Sequence, residues 1–294
     1  MMTKSSQPKI LVGMPAYNEG KYIGSLVLKA RQYADEVIVL DDGSTDGTSE
    51  IAGLAGAIVI RHEVNKGYGV AVQSLLAEAK RRASDVLVLI DADSQHNPDE
   101  IPRLIKPISE GFGLVIGSRE QERGNIPSYR RFGQRVISYF SRVLSKERLF
   151  DSESGFRVFS KKAIAMLELR ESGMAISAET IASAAEKGLK IAERPISIRY
   201  TGDGSTLNPV AHGFGVLGRI IVMISERRPL IFFGLGGVIL IVLGLLAGIK
   251  VLDIASGGGE LAIGTALISV LLLIIGIFSV FTGVILNVLI KRRV

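Results

Sequence analysis

The 294-residue chain has no cysteine, which excludes disulfides, thiolate metal sites and cysteine nucleophiles. Any metal ion would rest on carboxylates and imidazoles. No apolar core precedes Ile10 in MMTKSSQPK, so the sequence predicts no signal peptide and a large domain that stays on the cytoplasmic side. The formal net charge of +6 comes with no RNA- or DNA-binding motif, which points to anionic lipid rather than nucleic acid. No ionisable residue falls in the middle of either long C-terminal apolar run, which argues against a channel or transporter.

Those two runs, at 230–252 and 261–290, are each long enough to cross a hydrocarbon core of about 30 Å as a helix. A Gly-rich polar turn at 253–260 predicts a transmembrane hairpin. Glu226-Arg227-Arg228 before the first run and Lys291-Arg292-Arg293 after the second place both outer ends, and both termini, in the cytoplasm of a two-span membrane protein. Lys250 dissents, and snorkels to the far interface on this reading. Gly244 and Gly248 form a GxxxG, and Ser269, Gly276 and Gly283 recur every seven residues. Such spacing suits close helix packing, either within the hairpin or between subunits of a homo-oligomer. The expected organisation is a domain over 1–208, a juxtamembrane linker or helix over 209–229 and the hairpin over 230–294.

The first two hundred residues alternate strand and helix patterns. Strands are predicted at 9–14, 36–40, 57–60, 86–90 and 191–200, and helices at 21–33, 47–54, 67–83 and 177–186. Short spacing of this kind predicts an α/β fold with a Rossmann-like, doubly wound and mainly parallel sheet. In such sheets ligands bind beyond the carboxyl ends of the strands. Those ends are polar here: Pro15-Ala16-Tyr17-Asn18-Glu19 after the first strand, Asp41-Asp42-Gly43-Ser44-Thr45-Asp46 after the second, Asn65-Lys66-Gly67 after the third and Asp91-Ala92-Asp93 after the fourth. Asp91 and Asp93, with Gln95 and His96 beyond, suit a Mg2+ or Mn2+ shared between carboxylates and substrate phosphates, or a solvated turn ahead of a helix capped by Asn97, Pro98 and Glu100. Tyr17 offers a flat face to a base, Asp42 an acceptor for a ring N–H, and Lys66 with its backbone N–H groups a seat for a diphosphate at a helix start. Each loop also reads as an ordinary turn or cap.

PAYNE, LDDGSTDGT, NKGYG and DADSQH in this order resemble family 2 glycosyltransferases of the GT-A fold. IGSRE at 116–120, DSESGFRVFS at 151–160 and AERPISIRY at 192–200 look like the dolichyl-phosphate mannose or glucose synthase branch. The resemblance covers about residues 9–205. It implies a nucleotide-sugar site carrying Pro15, Tyr17, Glu19, Asp41, Asp42, Lys66, Asp91, Ala92 and Asp93, with metal held by Asp91, Asp93 and Gln95. No QxxRW motif follows, which argues for a single transfer over polymerisation.

Over residues 129–149, Phe132, Val136, Tyr139, Phe140, Val143 and Leu144 share one helical arc, with Arg131, Arg135, Arg142 and Lys146 along its edge. That pattern fits a helix in a bilayer interface or a soluble helix packed on the sheet. The resemblance assigns acceptor phosphate to Arg119, with Arg131, Arg135 and Arg199 as further contributors. Arginine's planar fork suits phosphate oxygens. Asp151 takes the place of the family's DxxSG acid, as an organiser of the pocket more than a base. Glu179 either reaches the pocket or favours its own helix start. The function so implied is inverting transfer of one hexose from GDP-mannose, UDP-glucose or UDP-N-acetylglucosamine to dolichyl (polyprenyl) phosphate at the cytoplasmic membrane face, for protein or surface glycosylation. The alternatives are a different lipid acceptor, such as diacylglycerol or a lipid-linked sugar, and an inactive nucleotide-sugar-binding scaffold.

Overall fold

The computed structural model describes residues 8–118, 154–197, 218, 221–222, 224–225, 229–257 and 263–291, and the chain divides into two compact units, Met1–Ile220 and Ile221–Val294. In the first unit β1 (Ile10–Ala16), β2 (Glu36–Asp41), β3 (Ile58–Arg61), β4 (Val86–Leu89), β5 (Leu114–Ser118), β6 (Arg157–Ser160) and β7 (Ile191–Pro195) form one sheet in the order β3-β2-β1-β4-β6-β5-β7. All neighbours are parallel except β6, which runs antiparallel to both β4 and β5.

The central strands read as unbroken apolar runs because both faces are covered. Leu11, Ile38, Leu40, Leu87 and Leu89 point to the face packed by α3 (Tyr68–Arg81), α5 (Lys161–Met166) and α6 (Ile176–Glu186). Their neighbours Val12, Met14, Val39 and Val88 point to the face packed by α1 (Gly20–Ala30), α2 (Thr48–Leu54) and α4 (Ile101–Ser109). Successive strand residues alternate between the two layers, as the pleat requires. The chain builds outward from β1 to β2 and β3, then returns to place β4 on the other side of β1. The switch point therefore lies between the carboxyl ends of β1 and β4, where a crevice must open.

The mainly parallel sheet agrees with the sequence reading, which leaves two strands unassigned. β5 and β6 carry the IGS and RVFS segments, and antiparallel β6 is wedged between β4 and β5, with Arg157 opposite both Leu89 and Ile116. The last strand ends at Pro195, shorter than the 191–200 expected, and lies at the sheet edge, where a proline forfeits no ladder bond. Asn97 caps as read: its side chain accepts from the Asp99 amide, and Pro98–Glu100 forms a 3-10 turn leading into α4. The 129–149 stretch, Arg119, Arg131, Arg135, Asp151, Arg199 and most of 209–229 lie outside the described residues.

In the second unit a π-helical turn, Leu230–Gly234, runs into α7 (Leu235–Ser256), which pairs with α8 (Ile263–Lys291). The first helix thus continues four residues beyond the end read from hydropathy. Small residues make the seam. A Cβ on Gly237 would stand 2.6 Å from the Gly276 carbonyl oxygen, and one on Gly276 2.7 Å from that of Gly237. Ser269 Oγ donates to the Gly244 carbonyl at 2.7 Å, and Ser279 Oγ to that of Phe233 at 2.8 Å. Of the two packing partners left open by the sequence, these contacts are within the hairpin. The outward faces carry exposed Leu235, Val242, Leu246, Leu271, Phe278 and Ile285. Both helices are long and apolar enough to cross a membrane.

Candidate functional site

β4 stops at Leu89, the Ile90 amide still reaching the Gly13 carbonyl at 3.1 Å, and the chain then turns out through Asp91 and Asp93. Ser94 adopts a left-handed φ of 65°, unusual for a residue with a side chain, and the Gln95 amide donates to Asp93 Oδ1 at 3.0 Å. This tight reversal keeps both acids at the switch point. Asp91 is enclosed from three sides. The Tyr68 hydroxyl donates to Oδ1 at 2.9 Å, His96 Nε2 stands 3.8 Å from Oδ2, and the backbone of Gly155 lies so close that a Cβ there would be 1.9 Å from Oδ2.

The loops after β1 and β2 are laced together beside these acids. The Asn18 amide donates to Ser44 Oγ at 2.8 Å, the Thr45 amide to Asn18 Oδ1 at 2.9 Å, the Glu19 amide to Thr48 Oγ1 at 2.9 Å, and the Gly20 amide to Asp46 Oδ2 at 2.9 Å. The lacing brings Glu19 into the field of three carboxylates. Burial, then the charges of Asp93, Asp46 and Asp91, push its pKa up to about 7. Burial and the Asp91 charge likewise raise Asp93.

A cluster of acids that resist ionising together is what a divalent cation relieves. Among the described residues no three histidine or acidic side chains are grouped to hold a metal ion. Two carboxylates with room for phosphate oxygens match the habits of Mg2+ and Mn2+, which seldom sit in all-protein cages, so the donor set fits. Because the folded-state values of Glu19 and Asp93 are raised, the metal-free protein loses stability as pH rises, for Glu19 from 4.5 through about 7. A cation competing for the Glu19 proton should bind about tenfold more tightly at pH 8 than at pH 6. Thermal melts with Mn2+ and with EDTA at the two pH values measure this, and an equal Mn2+ shift at both would contradict it.

The two acids at the end of β2, Asp41 in its last position and Asp42 just beyond, are both buried. Asp41 is buried and receives the Ser44 amide at 2.8 Å and the Ser49 hydroxyl; burial raises its pKa, but these bonds outweigh that and hold it below the ordinary value. Asp42 Oδ1 takes the Lys66 amide at 3.0 Å and lies 2.6 Å from His62 Nδ1, while Oδ2 takes the Gly67 amide at 2.8 Å. The acceptor expected for a base is therefore already turned to the protein's own backbone. The same bonds correct the diphosphate seat: the Lys66 and Gly67 amides go to Asp42 and the Gly69 amide to the Ser172 carbonyl at 2.9 Å. The Lys66 side chain is exposed. Tyr17 is exposed at the edge, Pro15 pairs with Leu40 inside the sheet, and Ala92 is buried. Glu179 is buried, and its Oε2 accepts the Arg170 and Glu171 amides at 2.9 and 2.8 Å.

Three residues escape the sequence reading. Tyr68 and Gly155 touch Asp91 directly, and buried Arg157 donates to the Ser154 and Ser177 carbonyls at 2.8 Å each, fixing the turn that carries Gly155. All three fall inside quoted motifs, Tyr68 in NKGYG and Gly155 and Arg157 in DSESGFR, but nothing local tells that they converge on Asp91.

The sequence signature of glycosyl transferase family 2 matches residues 11–167. An uncharacterised protein of Methanocaldococcus jannaschii is 34% identical over 74% of this chain and 93% of its own. The UDP-N-acetylglucosamine–dolichyl-phosphate N-acetylglucosaminyltransferase of Methanococcus voltae is 33% identical over 71% of this chain and 94% of its own. Among solved structures, the Mycobacterium tuberculosis glucosyl-3-phosphoglycerate synthase in complex with Mn2+, uridine diphosphate and phosphoglyceric acid superposes with a TM-score of 0.60 at 25% identity, over 74% of this chain and 78% of that one. A switch point edged with acids on a mixed GT-A sheet, together with these likenesses over most of the length, shows that the chain belongs to glycosyl transferase family 2 and is a sugar-transferring enzyme.

Proposed function

We propose that this glycosyltransferase moves a single hexose from a nucleotide diphosphosugar to a polyprenyl phosphate, with inversion, at the cytoplasmic face of a membrane it spans twice. The observation that carries the donor half is the gathering of Asp91, Asp93 and Glu19 at the β1/β4 switch point, where burial first and neighbouring carboxylates second raise Glu19 and Asp93. The acceptor half is supported by the apolar outer faces of α7 and α8 and by the lipid phosphate named for the M. voltae relative.

In this reading Asp91 and Asp93, with Gln95, hold Mg2+ or Mn2+, which supplies positive charge to the departing diphosphate. Tyr17 lies against the base and Lys66 near the diphosphate. Arg119, helped by Arg131, Arg135 and Arg199, steers the acceptor phosphate to the face of the sugar opposite the leaving group. A phosphate monoester has a second pKa of about 6 and already carries attacking charge near neutrality. The enzyme's task is then positioning and charge stabilisation rather than deprotonation, which makes Asp151 an organiser.

The test is a donor panel of GDP-mannose, UDP-glucose and UDP-N-acetylglucosamine, each offered to the full chain in detergent with polyprenyl phosphate, diacylglycerol or a lipid-linked sugar. Nucleoside diphosphate should appear with one donor and polyprenyl phosphate only, giving a product of inverted anomeric configuration. Comparable turnover with the other lipids would overturn the acceptor assignment. No turnover with any of these donors and polyprenyl phosphate would likewise overturn the proposed reaction.

A further inference from the structure

We propose that Tyr68 is a positioning residue for Asp91, holding that carboxylate in the orientation from which it receives the metal ion; the inference rests on the metal-binding reading of Asp91 and Asp93. The phenol hydroxyl is 2.9 Å from Asp91 Oδ1, and the Gly155 backbone lies against the same carboxylate, where a Cβ would stand 1.9 Å from Oδ2 and 2.3 Å from Oδ1. Between these two walls the carboxylate plane has little freedom to rotate. Hydrogen bonds to the outer side of a ligating carboxylate commonly fix its geometry and strengthen its hold on a cation.

The ring is anchored well enough for this work. Lys66 and Gly67 on one side of Tyr68 both donate their amides to Asp42, and Gly69 on the other donates to the Ser172 carbonyl. Gly67 has a φ of 94°, open to glycine at little cost, and a Cβ on Gly69 would stand 2.2 Å from the Glu171 carbonyl oxygen. The Gln73 side chain donates to that same carbonyl at 2.8 Å, and Glu179 holds the Arg170 and Glu171 amides. The start of α3 is thus pinned from two directions: by Asp42, the residue that follows β2, and by segment 170–173, itself tied to α6. Tyr68 transmits that rigidity to Asp91, two residues beyond β4. A tyrosine whose hydroxyl merely sought a partner would need none of this scaffolding.

Tyr68→Phe keeps the ring and removes only the donor. In the full-length protein, Mn2+ binding in the presence of nucleoside diphosphate, followed by the paramagnetic resonance of free Mn2+, should weaken roughly 10- to 100-fold. The melting temperature in EDTA should stay near that of the parent, and saturating Mn2+ should restore most of the turnover number. Unchanged Mn2+ affinity in Tyr68→Phe overturns the proposal, as does lost turnover that excess Mn2+ does not rescue. Asp93→Asn, run in parallel, separates the two levels: if it binds Mn2+ as the parent does, the metal reading itself has failed. Should Tyr68→Phe not fold, the parent chain still decides. It has no tryptophan and seven tyrosines, so tyrosine absorption is unmasked. In a Tyr17→Phe background, Mg2+ bound to Asp91 should polarise the bonded phenol and give a tyrosine difference spectrum, and a flat spectrum at saturating Mg2+ overturns the proposal.

Discussion

Asp91→Asn combined with Asp93→Asn should lower nucleoside diphosphate release by roughly a thousandfold or more, the scale expected when several kcal/mol of charge stabilisation on a leaving group is removed. The substitution is nearly isosteric, and the fold should not suffer. Burial and the Asp91 charge already work against the ionised form of Asp93, and both acids raise Glu19. Removing two charges from that group relieves repulsion, so in EDTA near neutral pH the double variant should melt at or above the parent temperature. It should also lose the Mn2+-dependent rise in melting temperature. Substantial activity in the double variant would refute the metal assignment, and a large fall in metal-free stability would show that the acids serve the fold instead.

Gly155→Ala should also be strongly damaging, though by a smaller factor, from a residue that carries no functional group. The added Cβ would lie 1.9 Å from Asp91 Oδ2 and 2.3 Å from Oδ1, contacts that no real methyl tolerates. Nor can the backbone retreat. The Phe156 carbonyl accepts the Gly117 amide at 2.9 Å, Arg157 pairs with Leu89 on one side and Ile116 on the other, and its guanidinium holds the Ser154 carbonyl. The carboxylate must therefore move by an ångström or more, a displacement that costs about a hundredfold in rate when a reacting group is misplaced. Overpacking should also cost about 1–3 kcal/mol of stability. Gly173→Ala is the matched control, since a Cβ there meets nothing within 4 Å. The comparison requires kcat/KM and melting curves for both variants. Parent-like activity in Gly155→Ala would mean that the position of Asp91 is not critical.

What can be read from the sequence follows how local each determinant is. The buried strands β1, β2 and β4 announce themselves as apolar runs, and their acidic exits follow within a few residues, so the edge bearing Asp91 is legible in the order of residues alone. Asn97-Pro98 and the apolar hairpin are equally local. Antiparallel β6 is not, because nothing in RVFS says that it will slide between two strands that precede it in the chain. Gly155 and Asp91 are separated by 64 positions, and only that wedge brings them together. The backbone partners of Asp42 are hidden for a similar reason: the acid at a strand end is plain in the sequence, whereas the loop about two dozen residues later that folds back to donate two amides to it is not. Tyr68 sits in a helix start rich in small residues, and no periodicity distinguishes a phenol that meets a carboxylate from one that meets solvent.

The reversed direction of β6 has one more effect. β5 ends at Ser118 on the rim of the sheet that carries Asp91, and β6 begins on that same rim, so the two ends of the intervening chain are anchored at one edge of the sheet. The number of residues between these two strand ends can therefore change without altering the strand order or the register of β4, β6 and β5.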